Sequence, residues 1–495
     1  MAGAGSDVPL NLSNRDQNSG HLFYNRRLRA AITRYSVRMK HDDRKQHAAL
    51  VLSLVFVLLG CAWMALLHFI KPSGLAGKSV IVGNRDTGAV YARIDGRLHP
   101  ALNLTSARLA TGNAVAPAWV KSREIQKYPT GPTLGIPGVP DELSVPANQL
   151  SAWAVCDTAP ANGRAGGATV TAIAGELTGG GRAEPLSSGA AILASHKRST
   201  YLIWNGQRSR IDPVDRAVTF SLGLDPSRTR PIEMSDVLFD AMPATEPLVA
   251  PVIPEAGTPS RWLAGSVVGR VLIVKDANGS PSGFYVLMAN GIQRINALVA
   301  DLLRTADGRG TVEPELIGPD TLIAIPEVEV LNVGFYPTGK LEFVDPDVHP
   351  VSCVSWKKLS TDPQATITVF NGRGLPTPQD ADSHIVELVG HGTGEARQTL
   401  ILPGAANFVA STSGVVTADT RESLFWVSPQ GVRYGIEWER NTLAALGIDP
   451  NRALQAPWPI LRAFASGPAI SRTNALVARD AFDTDGGIAV LAPSG

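Results

Sequence analysis

The stretch "PSGLAGKS", Pro72 to Ser79, ends in Gly77, Lys78 and Ser79, the residue types that close a phosphate-binding loop. In such a loop backbone N–H groups cradle phosphate oxygens, the lysine reaches the terminal phosphates and the hydroxyl holds a magnesium ion. The pattern requires a glycine five positions before Gly77, where this chain has Pro72. It also requires a strand before the loop and a helix after it, so that the helix N-terminus meets the phosphates. Here an apolar run precedes and the strand-like "SVIVGN" comes after, and "VLFDA" at Val237 is a poor substitute for the acidic strand end that would complete the metal site. Gly77, Lys78 and Ser79 are therefore a weak nucleotide candidate, with a linker leaving an apolar helix as the preferred reading.

Other chemistry has less support. The chain contains no His-Glu-x-x-His, no Cys-x-x-Cys and no Gly-x-Ser-x-Gly, so zinc hydrolase, zinc-finger and serine-esterase readings lack their ligands and nucleophile. His391 in "VGHGTGEAR" reads as a surface or hydrogen-bonding histidine, and the carboxylates of "DTDGG" at 483–487 lack the further ligands of a calcium loop. "NLT" at Asn103 fits the short glycosylation pattern. No catalytic residue, metal ligand or confident cofactor site emerges from sequence.

The elements around the stretch are more informative. The 495 residues carry 44% apolar side chains and a formal net charge of +1, which excludes disorder throughout and gives no basic surplus for nucleic acid. The charge is unevenly placed: residues 1–47 hold nine Arg or Lys against four Asp, net +5, leaving −4 for the remainder. Ala48 to Ile70, "AALVLSLVFVLLGCAWMALLHFI", then runs for 23 residues without Asp, Glu, Lys or Arg. At about 1.5 Å per residue this exceeds the roughly 30 Å of a hydrocarbon core. It is too long and too far from the start for a signal peptide. The basic flank places the N-terminus in the cytoplasm and residues 71–495 outside.

Before the span, "LFYNRRLRAAITRYSVRM" (22–39) reads as a basic amphipathic helix: Leu28, Ile32, Tyr35 and Met39 recur at helical steps, while Arg26, Arg27, Arg34 and Arg38 carry the charge. It suits lipid or a partner subunit, or only fixes topology. Residues 1–20 read as disordered. Beyond the span Cys156 and Cys353 are the only thiols, a candidate disulfide in an oxidising compartment, with two separate buried thiols as the alternative.

The exported part repeats itself. "AVYARIDGRLHPAL", "TYLIWNGQRSRID", "FYVLMANGIQRIN" and "LFWVSPQGVRYGI" each read as a strand, a turn ending in Gly96, Gly206, Gly291 or Gly431, and a second strand. "LGLDPSR" at Leu222 and "LGIDPNR" at Leu446 succeed the second and fourth copies after a short helix-compatible run. Spacings of 110, 84 and 140 residues between Tyr91, Tyr201, Tyr285 and Phe425 are too unequal for a solenoid. The expected fold is α+β and β-rich: an elongated body of four hairpin-plus-short-helix repeats near 80–155, 195–260, 265–330 and 415–480, around a central region near 330–410. Proline-rich stretches at 131–140 and 242–259 read as extended straps between them, and "GGATVTAIAGELTGGGRAE" as a strand between glycine clusters.

"KPSGLAGKSVIVGNRDTGAVYARIDGRLHPALNLTSARLATG", with "GIPGVP", "SAWAVCDT", "GVRYGI", "APWPI" and "NALVARD", resembles EccB, the single-pass membrane component of the type VII (ESX) secretion system of mycobacteria and related actinobacteria. The resemblance runs from "RRLRAAITRYSVRM" to "ARD". It implies a structural core subunit of the inner (plasma) membrane complex, with partners EccC, EccD, EccE and a mycosin-type protease. It further implies a periplasmic domain that dimerises and can join larger rings, and a disulfide between Cys156 and Cys353. Some family members are labelled ATPases, so an ATP-hydrolysing component of the same system is the alternative, with ATP as cofactor in that case alone.

Overall fold

A computed structural model of the chain describes residues 15–35, 40–70, 75–143, 149–160, 167–276, 278–306, 313–388 and 394–479. Arg38, Met39, Pro72, His391 and residues 483–487 lie outside them. The chain divides into two units, residues 1–77 and 78–495.

The first unit carries two helices, Arg15–Arg34 and Lys40–Ile70. The first begins earlier than the amphipathic pattern suggested, so residues 15–20 are helical rather than disordered. It stops at Arg34, and Tyr35 takes a left-handed φ of 43° that a helix interior does not accept. Tyr35 therefore leaves the apolar stripe of Leu28 and Ile32. The second helix is 31 residues long, about 46 Å at the α-helical rise. Its His47–Leu66 part has a mean hydropathy of 2.5 and no share of it is buried within the chain.

In the second unit four sheets share one strand order. The first runs Arg97–Ala101, Val90–Ile94, Ile81–Asn84 and Ala118–Val120. Three antiparallel strands are succeeded by the helix Leu104–Thr111, and the last strand returns parallel to the first. The second sheet has Ala190–His196, Ser199–Trp204, Gln207–Ile211, the helix Arg216–Leu222 and the returning Ile232–Glu233. The third has Val271–Lys275, Pro281–Met288, Gly291–Ile295, the helix Ala297–Ala306 and Glu315–Ile317. In the fourth these are Phe408–Thr412, Leu424–Val427, Val432–Ile436, the helix Arg440–Leu446 and Leu454–Pro457. All four expected hairpins are present. Each sheet adds a strand before its hairpin, of which sequence read the first, "SVIVGN", and a parallel strand after its helix, which local turn chemistry does not announce.

The fifth sheet has seven strands and joins residues far apart in sequence. Its order is Val386–Glu387, Gln398–Ile401, Thr169–Ala174, Leu150–Thr158, Val351–Leu359, Thr366–Gly372 and Ala183–Pro185. The strand Leu150–Thr158, which sequence placed at the end of the first repeat, belongs here: it pairs along its whole length with Val351–Leu359. The central region near 330–410 is thus only half of the sheet.

Burial explains the arrangement. Leu109 and Ile136 of the first sheet's segment share a core with Trp426, Tyr434 and Leu443 of the fourth. Leu202 and Val218 of the second share one with Val286 and Leu298 of the third. A separate core unites Trp153 and Trp356 of the central sheet with Ile192 and Ile203 of the second and with Val409 and Phe464 of the fourth. A short amphipathic helix over four strands leaves one apolar flank uncovered, and pairing two sheets buries it.

The turn glycines serve different needs. Asp95–Gly96 and Asn205–Gly206 hold positive φ at both turn positions, the conformation of a two-residue hairpin loop. Gly291 lies outside the left-handed region; a Cβ there would lie 2.2 Å from the Pro326 carbonyl oxygen, so close approach of the chain demands glycine. Gly431 meets both demands, with φ 78° and Thr399 of the central sheet 2.4 Å from where a Cβ would sit, whereas the space around Gly96 is open. Gly96→Ala should cost roughly 1–2 kcal/mol from left-handed strain alone. Gly431→Ala should cost a further 1–3 kcal/mol or so from overpacking. Paired thermal melts check the order, which equal losses would contradict.

Candidate functional site

Gly77 has a positive φ of 47° and Lys78 is exposed. The next element is the strand Ile81–Asn84, where a phosphate-binding loop is followed by a helix. "VLFDA" lies within the helix Asp236–Ala241 instead of ending a strand, and Asp240 is ion-paired with Arg462. Among the described residues, the elements that adjoin Gly77, Lys78 and Ser79 in sequence thus differ from those of a phosphate-binding loop. Asn103 is also engaged internally: it is buried, its Oδ1 accepts from the Ser106 N–H at 2.8 Å and its Nδ2 donates to the Ile136 carbonyl at 2.8 Å. It caps the helix Leu104–Thr111 and offers no amide for glycosylation.

The anchor candidates lie on the first helix. Arg26, Arg27, Leu28 and Ile32 are exposed on it, and Arg34 is its last residue. Phe23 and Tyr24 add aromatic surface beside them, which sequence did not single out. Cationic and apolar groups side by side on one exposed helix suit an anionic lipid surface or an acidic apolar groove of a partner.

The central sheet holds the strongest construction. Cys156 and Cys353 are directly opposite on Leu150–Thr158 and Val351–Leu359, with Cα atoms 4.0 Å apart, and are joined by a disulfide. This selects the bridge over two separate thiols; Cys61, in the apolar helix, is free. Three residues away Trp153 faces Trp356 across the same strand pair, and Trp153 meets Phe464 edge to face at 5.5 Å. The Trp153 Nε1–H donates to Ser151 Oγ at 2.8 Å, and the Ser151 hydroxyl donates to the Gln455 carbonyl at 2.6 Å. Lys358, buried, donates to Gln455 Oε1 at 2.8 Å. Gln455 thus fastens the fourth sheet to the central pair.

The helix Asp236–Ala241, here the joint helix, is fastened in three directions. Its cap Ser235 donates its N–H and its hydroxyl to the Asp157 carboxylate, both at 2.7 Å. Asp236 accepts from His196 Nε2 at 2.6 Å and pairs with Lys197 Nζ at 2.8 Å; Lys197, then His196, hold its carboxyl below the usual range. Asp240 pairs with Arg462. Phe239 stacks on His196 at 3.7 Å and lies beneath the Arg208 guanidinium. Lys197 and Arg198 adopt left-handed φ of 45° and 65°, strained for such side chains, whereas the two-residue turns Asp95–Gly96 and Asn205–Gly206 end in glycine. The Lys197 ion pair is what this turn gains. Sequence reading missed this joint, although "MSDVL" offers a serine cap with an acid directly after it, a recognisable helix start.

The chain matches a family model described as "Type VII secretion system ESX-1, transport TM domain B" over residues 10–484. It is 59% identical over 488 residues to a Mycobacterium tuberculosis protein named ESX-2 secretion system ATPase EccB2, covering 98% of each chain. To ESX-5 secretion system ATPase EccB5 of the same species it is 38% identical, covering 97% of this chain and 96% of that one. Among solved structures, a chain of an intact ESX-5 inner membrane complex aligns with TM-score 0.75 and 37% identity, covering 99% of this chain and all of that one. A chain of an EccB3 dimer from an ESX-3 core complex aligns with TM-score 0.71 and 36% identity, covering 81% of this chain and all of that one.

The bridged cysteines are 197 residues apart. Replacing both by Ala should lower stability by up to about 5 kcal/mol on the chain-entropy account. Denaturant titration of the full chain checks this, and an unchanged midpoint would contradict it.

Proposed function

The chain belongs to the EccB family of type VII secretion, and we propose that it works as a structural core subunit of an ESX inner-membrane complex, holding partner subunits at the membrane and forming part of the complex outside it. The observation that carries this reading is the alignment of 99% of the chain, apolar helix included, with a subunit of an intact ESX-5 inner membrane complex. In this reading the N-terminus is cytoplasmic and residues 71–495 are periplasmic, supported by the nine basic residues before the span and by a structural disulfide that suits an oxidising side.

In this reading the four similar sheets are copies of one unit set around the central sheet, and the helix carrying Arg26, Arg27, Leu28 and Ile32 contacts lipid headgroups or a neighbouring subunit. EccC, EccD, EccE and a mycosin-type protease are the partners we assign, with a second copy of this chain paired through the periplasmic part. The ATPase names belong to the relatives, and the strand Ile81–Asn84 after Lys78 stands where that reading needs a helix. Deleting residues 22–39 should release the chain from its partners: affinity purification from native membranes should recover them with the intact chain and lose them with the deletion. Undiminished recovery would overturn the assigned role of this helix.

A further inference from the structure

Asp157 is 2% exposed on a central strand, and among the described residues only Ser235 hydrogen-bonds its side chain. Its cross-strand neighbours, Val170 and Ser352, bring no charge. The charged and titratable groups around the joint helix are engaged with one another: Asp236 with His196 and Lys197, Asp240 with Arg462, Arg208 over Phe239 with Tyr201 at that ring's edge. Among the described residues, a buried carboxylate is thus held by two hydrogen bonds and no cation, a costly way to carry a charge. It is held at the cap of a helix that ties the second and fourth sheets to the central one.

We propose that Asp157 is a proton-responsive latch: taking up a proton tightens the hold of the central sheet on the joint helix, and through that helix on the second and fourth sheets. The proton goes to the oxygen facing Ser235 Oγ. That oxygen then donates to Ser235 Oγ, which also accepts from the Leu238 N–H at 3.1 Å, while the other oxygen keeps the Ser235 N–H. Both latch contacts persist and the buried charge is gone.

Burial pushes the Asp157 carboxyl up to about 6, against the pull of its two hydrogen bonds. When the joint helix opens, the carboxyl meets water and returns to about 3.9. The closed state therefore binds the proton more readily than the open one. This contribution to closure is present at low pH and is lost as pH rises through about 6.

Hydrogen exchange of the full-length chain in lipid nanodiscs at pH 5.0 and 7.5, corrected for the intrinsic rates, reads the latch directly. The amides of Val237–Ala241 should be about tenfold more protected at the lower pH. Asp157→Asn should abolish that change, and His196→Gln should retain it. Ser235→Ala, which removes one donor to the charged form, should move the transition to higher pH. A pH response that survives in Asp157→Asn, or one that vanishes in His196→Gln, would overturn the proposal, as would no response in the wild-type chain. If Asp157→Asn does not fold, the direction of the Ser235→Ala shift decides.

Discussion

The pairing of Leu150–Thr158 with Val351–Leu359 is the constraint on which the second unit depends. Nine residues of each strand lie in antiparallel register, closing a loop that contains the whole of the second and third sheets. Such a closure costs conformational entropy, because nothing local brings these segments together. It is offset by apolar burial around Trp153 and Trp356 and by the Cys156–Cys353 bridge, which removes much of the same entropy from the unfolded chain. The other attachments build on this pair. Gln455 fastens the fourth sheet through Ser151 and Lys358, and Asp157, beside the bridged Cys156, fastens the joint helix.

Local chemistry was legible wherever it decided structure locally. Asn205–Gly206 and Asp95–Gly96 are hairpin turns because two left-handed residues in succession suit few other pairs, and both hairpins were readable. The returning parallel strands were not, since Ile232–Glu233 has two residues and its identity comes from pairing with Ala194 and Ser195. Leu150–Thr158 went to the wrong group for a similar reason: its partner lies about two hundred residues away and its pattern is simply apolar. Gly291 looked like the other turn glycines, yet its need arises from Pro326, in a different segment. The cysteines were visible as a pair, whereas Asp157 gave no signal, because its burial exists only once the central sheet has formed.

The glycine–lysine–serine stretch and the anchor helix illustrate how context sorts similar signals. Three matching residues carry little chemistry when a strand occupies the place of the required helix. A helix of 31 residues with an unburied apolar segment carries a great deal, because water does not tolerate such a surface. Function in this protein rests on attachment: a helix for the membrane, sheets that share cores in pairs, and one bridged strand pair that keeps the pairs together.

Native-state hydrogen exchange across the full chain tests the role of that strand pair most directly, because it ranks the amides by the free energy needed to expose them. Ala152–Cys156 and Ser352–Trp356 should fall in the slowest class, exchanging only on global unfolding, with the hairpins of the first and third sheets opening earlier. Exchange of this strand pair ahead of those hairpins would contradict its place as the constraint that holds the unit together.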